Sequence, residues 1–471
     1  MRIPTLLVAF AACSSAFALA GPPPAPGADW FAAHRAALAA KLPPGAVVVL
    51  RGPAEPDAGT TDAYRPDSSF WYLTGVAEPD AVAVLRPSAA EGKRYALFVR
   101  PKNWAEERWT GRRAGVEGAK TDYRAEIAFP VEDFQKESLS LLAGAKALFY
   151  LDARDLAFRE KLITNWQALA SAGTESLPAS DVAPVVAQMR LVKDATEIAI
   201  LRDAVNLSVE AHRAALALAR PGLNEGVLKA AMVQRCLAGG AARMAYAPIV
   251  GSGPNSVILH YPDANRVMQR GEMIVNDTAC EVGLYAADVT RSYPVNGAFS
   301  PEQRALYAIV LAAQKVGIAA AVAGARHHDV QDASLAVVVD GLIKLGLVKG
   351  TPKEVLESRS FTAFFPHGTS HWLGLDVHDA GSYEIADPKD RWTRYSSSMT
   401  TLKPGMVLTV EPGLYVPEKS EGVDPKWWNI GVRIEDDILV TPKGPECLSC
   451  AAPREIADVE KAMKPAAGQS R

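Results

Sequence analysis

The stretch PHGTSHWLGLDVHDAG, from Pro366 to Gly381, places three of the chain's eight histidines (His367, His371 and His378) within twelve residues. Imidazole is the commonest neutral metal ligand and the usual acid/base near neutral pH. A lone His in a Gly-rich turn would read as a satisfied polar side chain. Three of them, beside Asp376 and Asp379 and interrupted by Gly368 and Gly374, read instead as a metal or acid/base site. One loop cannot complete such a site, so the fold has to bring further ligands to it from distant segments.

Three acidic segments can supply them. The first runs from Met273 to Asp277 and on to Cys280, turns, and returns through Tyr285 to Asp288 and Arg291. Two β-type runs joined at Val282-Gly283 predict a hairpin in which Asp277 lies directly opposite Asp288. Cβ atoms of such partners lie about 4.5–5.5 Å apart. Two carboxylates that close repel unless a cation or a shared proton compensates. The second segment, Val407-Leu408-Thr409-Val410-Glu411-Pro412-Gly413, is an apolar strand ending in a carboxylate and a turn. The third runs from Gly431 to Ile438 and sets Arg433 and Glu435 on one face of a strand by the period of two. Asp277, Asp288, His371, Glu411 and Glu435 therefore form a candidate set able to hold two divalent ions, some carboxylates bridging. An oxygen-rich set suits Mn²⁺ or Mg²⁺, whereas thiolates would select zinc. Mn²⁺ is the expected occupant, with Co²⁺ or Zn²⁺ as alternatives. Water between two such ions is acidified to a hydroxide nucleophile.

At 471 residues the chain exceeds what one hydrophobic core usually supports. Residues 1–20 read as a secretory signal peptide: Arg2, an apolar run, then Ala18-Leu19-Ala20 as a cleavage site. A lipoprotein signal at Cys13 is the weaker alternative, since Phe10 fits it poorly. Export to a periplasm follows. Residues 21–29 read as a Pro-rich linker. Residues 30–182 read as an α/β domain, with strands near 47–50, 81–85, 95–99 and 147–151 and helices near 31–40, 132–143 and 155–172. Packing, oligomerisation and shaping a cleft are the roles expected of it.

Residues 190–463 read as a second, α+β domain carrying the site. Helices are expected from about 198 to 220, over 225–237, from the Ser300-Pro301-Glu302-Gln303 capping box onwards, and over 330–345. His327-His328 between the last two reads as a solvated turn. The most apolar stretch, 305–325, carries Gln314 and Lys315 and reads as an amphipathic surface helix, not a membrane span. Net charge of −3 gives no case for nucleic acid or an anionic membrane surface. Gly251-Ser252-Gly253 is no dinucleotide fingerprint. Cys447 and Cys450 read equally as a local disulfide or as idle thiols, and Cys236 and Cys280 as small buried hydrophobes.

The His367–Asp379 stretch resembles the signature of the aminopeptidase P and prolidase family, the pita-bread-fold metallopeptidases. The likeness extends through Ile249–Gly253, Leu259-His260-Tyr261, the paired Asp segments, Glu411–Tyr415 and Arg433–Asp437. Phe70–Gly75 with Glu78-Pro79, and Trp109 with Gly111-Arg112-Arg113, resemble bacterial aminopeptidase P in particular. The resemblance implies an α/β N-terminal domain followed by an α+β pita-bread (creatinase/aminopeptidase-like) catalytic domain.

It also implies roles. Asp277 would chelate one metal, Asp288 and Glu435 would bridge both, and His371 with Glu411 would complete the other. Glu411 would carry a proton from the nucleophilic water to the leaving amine, and His378 would stabilise the carbonyl or tetrahedral intermediate. His260 and His367 would hold the proline side of the substrate. Arg433 would brace the carboxylates, with Tyr415 and Trp109 as further substrate contacts, Trp109 reaching a neighbouring subunit's site. The implied reaction is hydrolysis of the bond between an N-terminal residue and a following proline, in a homo-oligomer (dimer or tetramer). An Xaa-Pro dipeptidase of the prolidase type is the nearest alternative, and a metal-free pita-bread binding module the next. The chain departs from the family at Asp277-Thr278-Ala279, where Asp-Ala-Gly is usual, and at Ala183, where Arg precedes Pro-Val-Val. Both departures bear on substrate length, not on metal binding.

Overall fold

The computed structural model describes residues 25–56, 64–171, 177–383 and 399–464. The segment read as a signal peptide, with Cys13, lies outside them. The N-terminal half comprises α1 (Ala28–Ala39), β1 (Ala46–Arg51), α2 (Ser68–Thr74), β2 (Val82–Leu85), β3 (Tyr95–Val99), α3 (Trp104–Thr110), α4 (Gly115–Thr121), β4 (Ile127–Pro130), α5 (Phe134–Leu142), β5 (Ala147–Leu151), α6 (Leu156–Ser171) and β6 (Ala179–Asp181). Its strands form one mixed sheet in the order β4-β3-β2-β1-β5-β6.

The period of two explains why β1 is apolar throughout. Val47 and Val49 join a core with Val82, Val84, Phe98, Leu142, Leu162 and Trp166 on one face. Val48 and Leu50 join a second core on the other face, with Phe31, Phe70, Trp71 and, from the second half of the chain, Ile200, Leu201 and Tyr285. A sheet covered on both faces needs strands apolar on both. The edge strands β4 and β6 lack that signature, being half-buried and exposed respectively, and escape the sequence reading. So does α2, every residue of which is buried, so it has no polar face to reveal a helical period. Its ends are nevertheless marked: Asp67 accepts from Phe70 N, and Gly75 closes it at φ 74°.

The second half begins with α7 (Ala183–Leu191), which occupies the segment expected to be a boundary, then α8 (Ala195–Leu218) and α9 (Glu225–Ala238). Short strands follow: β7 (Arg243–Met244), β8 (Ile249–Ser252), β9 (Met273–Asp277), β10 (Cys280–Val282), β11 (Tyr285–Ala286) and β12 (Thr290–Pro294). Then come α10 (Pro301–Ala320), α11 (His327–Lys344), α12 (Pro352–Ser358), β13 (Val407–Val410), β14 (Gly413–Val416), β15 (Ile430–Arg433), β16 (Asp436–Thr441), β17 (Gly444–Cys447) and α13 (Ile456–Ala462). The expected capping box opens α10, with Ser300 and Gln303 bonded reciprocally. Its Gln314 is fully buried, so this polar residue lies on the packed face, not the wet one. No helix among the described residues is long and apolar enough to cross a membrane.

β9 sits between β8 and β12, antiparallel to both. An isolated bridge joins Thr290 to Glu435, and another joins Trp372 to Leu408. These two bridges draw the His-rich loop, β13 and the β15–β16 junction toward the end of β9.

Three expectations are corrected. The hairpin turn is Gly283-Leu284, not Val282-Gly283, so Asp277 pairs with Thr290 and not with Asp288. Both turn residues have positive φ, 54° and 69°, the conformation a two-residue hairpin of right-handed twist requires. A Leu does not advertise that conformation. The slip amounts to two residues on one strand, so both carboxylates stay on one face as diagonal neighbours. Cys236 and Cys280 are joined in a disulfide with Cα atoms 5.6 Å apart, between α9 and β10. Burial alone could not distinguish a thiol from half of a bridge whose partner is 44 residues away. Finally, His327 is not a solvated turn: it opens α11 at 1% exposure, packed on Trp372 with Nε2 3.1 Å from Ser370 Oγ. Cys447 and Cys450 form the local disulfide that was one of two open readings.

Candidate metal centre

A cavity of about 210 Å³ opens where these strand ends meet. Its walls carry all five candidate ligands, Asp277, Asp288, His371, Glu411 and Glu435, together with His260, His367, His378 and Arg433. Donor atoms of Asp288, His371 and Glu435 lie within 4.8 Å of one another. His371 Nε2 is 3.4 Å from Asp288 Oδ2 and 3.3 Å from Glu411 Oε1. Its Nδ1 lies 3.0 Å from the Trp372 carbonyl, so Nδ1–H donates there and Nε2 is turned to the carboxylates. That arrangement fixes a ligating imidazole's tautomer.

Each carboxylate is held by its own strand end. Asp277 closes β9, with Arg433 Nη2 2.6 Å from Oδ2 and the Tyr246 hydroxyl 2.5 Å from Oδ1. Glu411 follows β13, anchored by its N–H to the Thr369 carbonyl at 2.7 Å. Glu435 lies between β15 and β16 and accepts from Thr290 Oγ1 at 2.6 Å. The Asp288 N–H donates to Asp437 Oδ2 at 3.1 Å.

The histidines differ in role. His367 Nδ1–H donates to the Gly368 carbonyl at 2.8 Å, so Nε2 accepts from Tyr415 OH at 2.9 Å. Tyr415 in turn accepts from Arg433 Nη1 at 2.7 Å. Tyr415 is thus buried behind His367 and is not part of the cavity wall. His378 stands 4.1 Å from His371, ring to ring. Trp109 is not brought to this cavity: it is 88% exposed on α3, which buries none of its side chains. Tyr246 is the contact the sequence reading missed. It stands between β7 and β8 in no recognisable motif, and the pairings on either side of it, Met244↔Cys280 and Ile249↔Asp277, bring its segment alongside the ligand strand.

The electrostatics show what the donor set accommodates. Burial pushes Glu435 well above the carboxylate range, and Asp288, Glu411 and Asp277 push it further. Burial and the charge of Asp288 raise Glu411 to about 7. Burial would lower His371, but Asp288 and Glu411 outweigh it and raise it to about 9. Buried carboxylates that raise one another, at Asp288, Glu411 and Glu435, around an imidazole they raise in turn make a donor set that fits divalent cations, oxygen-rich and free of thiolate.

That competition between protons and cations predicts a pH dependence. Metal-free protein binds more protons folded than unfolded wherever Glu411 (about 7, against 4.5) and His371 (about 9, against 6.5) are shifted up. Stability therefore falls as pH rises through that range. Burial lowers His212 to about 4, His327 and His367 to about 3, and His34 as well, and the neighbouring His371 lowers His378 to about 4; their unfolded forms lose their protons only about a unit above 6.5, so these groups stop opposing the trend from about pH 7.5 upward. The melting temperature of chelator-treated protein should thus drop between about pH 7.5 and 9, and added Mn²⁺ should raise it most at the alkaline end. A metal-free melting temperature that is flat or rising across that window would contradict this account.

Comparison with known proteins agrees with the geometry. The model of metallopeptidase family M24 matches residues 199–442, and that of the aminopeptidase P N-terminal domain matches residues 31–150. The chain is 35% identical to the Xaa-Pro aminopeptidase of Escherichia coli, covering 92% of this chain and 97% of that one. It is 34% identical to that of Haemophilus influenzae, covering 92% and 96%. Among solved structures, aminopeptidase PepP of Pseudomonas aeruginosa superposes with a TM-score of 0.87 at 35% identity, over 93% of this chain and 98% of that one. E. coli aminopeptidase P with the inhibitor Pro-Leu gives 0.85 at 34%, over 93% and 99%. The chain belongs to metallopeptidase family M24, with a pita-bread catalytic domain behind the N-terminal domain of aminopeptidase P.

Proposed function

We infer that this enzyme is an Xaa-Pro aminopeptidase, a metallo-exopeptidase that hydrolyses the bond between an N-terminal residue and a following proline. The observation that carries the reading is the convergence of Asp288, His371 and Glu435 in a cavity that also presents His260 and His378. Its relatives over nearly the whole chain are Xaa-Pro aminopeptidases.

Two divalent ions, Mn²⁺ by choice of donors, would be held by Asp277, Asp288, His371, Glu411 and Glu435. When bound, such a pair acidifies water and offsets negative charge developing on the scissile carbonyl oxygen. The chain's own groups do the rest. Glu411 accepts the proton released by the attacking water and returns it to the leaving proline nitrogen, a transfer suited to a carboxylate that burial raises to about 7. His378, beside His371, donates to the carbonyl oxygen as charge develops. His260 and His367 hold the proline side. Arg433 fixes Asp277 and, through Tyr415, the orientation of His367. Trp109, exposed and outside the lining of its own cavity, serves the site of a neighbouring subunit in a dimer or tetramer. The N-terminal twenty residues would export the enzyme to the periplasm.

Arg-Pro-Pro and Gly-Pro incubated with mature protein, after chelation and again after adding Mn²⁺, test the reading. Cleavage of the tripeptide at Arg-Pro, lost with chelator and regained with metal, is expected. Cleavage of Gly-Pro alone would make the enzyme a dipeptidase, and cleavage of neither with metal bound would overturn the assignment.

A further inference from the structure

The loop presenting His378 is flanked by two carboxylates that no step of the reaction uses. Asp379 is buried, with Lys193 Nζ 2.9 Å from Oδ2 and Arg190 Nη2 on Oδ1. The same Arg190 nitrogen is 2.6 Å from Asp376 Oδ2, while Nη1 donates to Ser69 Oγ at 3.0 Å. Ser68 Oγ donates to Asp376 Oδ1 at 2.7 Å. Arg65 completes the clamp: it donates to Ser68 Oγ at 2.9 Å, to the Leu375 carbonyl, and to Glu281 Oε2 on β10 at 2.9 Å. Arg65, Ser68 and Ser69 belong to the N-terminal half, and Arg190 and Lys193 to the connection. None of these groups lies on a strand that carries a candidate metal ligand.

Inside the loop, Gly374 N donates to the Asp376 carbonyl at 3.1 Å and Asp379 N to that of Trp372 at 2.9 Å. A Cβ at Gly374 would collide with Asp379 Oδ2 and lie 2.9 Å from Lys193 Cε, so the clamp and the glycine require each other. Adhesion between the two halves does not need these charges, because Trp71 already packs edge-on against Tyr285 in a shared apolar core. A buried charge network adds little stability over an apolar contact of the same volume, but it does fix geometry. Burial alone would raise the Asp379 pKa; Lys193 and Arg190 outweigh it and keep it ionised.

We propose that Arg190, Lys193 and Arg65 are positioning residues: by clamping Asp376 and Asp379 they tie the loop to α7 and to Ser68 and Ser69 of the N-terminal half and so hold His378 beside the metal centre. The proposal rests on the reading of His378 as a substrate-contacting group.

Arg190→Lys, Asp376→Asn and Ser68→Ala are made singly and in a His378→Ala background, and assayed on Arg-Pro-Pro with Mn²⁺. Ser68→Ala removes only a hydroxyl from the clamp and guards against a variant that fails to fold. Each of Arg190→Lys and Asp376→Asn should lower kcat about tenfold with KM and bound Mn²⁺ unchanged, the scale seen when a ligand's outer partners are removed. In the His378→Ala background neither should lower it further, since residues acting through one group are not additive. Equal losses in both backgrounds, or losses that follow metal content, would overturn the proposal. Hydrogen exchange gives a readout independent of substrate: amides 374–379 should exchange faster in Arg190→Lys while the remaining protein is unchanged. Unaltered exchange there refutes the clamp whatever the enzyme cuts. Faster exchange in a protein that cuts no Xaa-Pro peptide leaves the clamp standing and removes the substrate assignment alone.

Discussion

Glu411→Gln should lower kcat on Arg-Pro-Pro by about 10²–10⁴-fold, the range a lost general acid/base costs. Gln preserves the volume, and its amide oxygen can still face His371 Nε2, which lies 3.3 Å from Glu411 Oε1. It can neither take a proton from water nor return one to the proline nitrogen. Loss of one anionic donor will also weaken metal binding, so the assay is run with Mn²⁺ at saturation and bound metal is measured directly. A variant that retains its metal and loses less than tenfold in kcat would remove Glu411 from proton transfer and leave it a ligand only. Glu411→Asp separates the two further. It keeps the charge but pulls the carboxylate back from His371, so a recovery smaller than tenfold points to geometry and not to charge.

What the sequence reveals of this site follows from where each residue stands. Asp277, Glu411 and Glu435 close or interrupt apolar strands, and a charge in such a place is visible without coordinates. His371 and His378 are visible by their density in one loop. The convergence of these segments is also implied, because a cation needs more ligands than any one of them supplies. Contacts made from the side are invisible. Tyr246 reaches Asp277 from a connecting segment of ordinary composition. His327 looks wet beside His328 and Asp329, yet it lies under Trp372 because α11 begins three residues earlier than its apolar period shows. The Gly283-Leu284 turn escaped because only one of its positive-φ residues is a glycine. The Arg190–Asp379 clamp escaped for another reason: its members are 189 residues apart, and charged residues in a boundary helix ordinarily signify solvent.

Arg291→Met should destabilise the protein by about 3–5 kcal/mol, the cost of breaking a buried ion pair from one side. Arg291, on β12, is 1% exposed, and Asp436, at the start of β16, is fully buried. Its Nη2 lies 2.6 Å from Asp436 Oδ1, and its Nη1 donates to the carbonyls of Thr290 and Glu435 at 2.9 and 2.6 Å. The remaining donors reach the carbonyls of Ser449 and Ala452. Met fills the space of the stem but satisfies none of these acceptors. Asp436 keeps Arg454 Nη1 at 3.0 Å and Ser449 Oγ at 2.6 Å, which holds the loss below that of a wholly unpaired charge. Among the described residues the carbonyls of Thr290 and Glu435 have no such second cation, and they flank the bridge that carries the candidate ligand Glu435. The loss should therefore divide in two: a lower urea midpoint in the metal-free protein, and in addition Mn²⁺ affinity weaker by about 10–100-fold. Arg291→Lys restores a charge to Asp436 but not the fork that spans the carbonyls, so it should recover only part of the stability. If Met leaves the midpoint within about 1 kcal/mol of the parent while metal affinity falls, the guanidinium serves the centre and not the core. If both are unchanged, the four carbonyls have found other donors and the ion pair is dispensable.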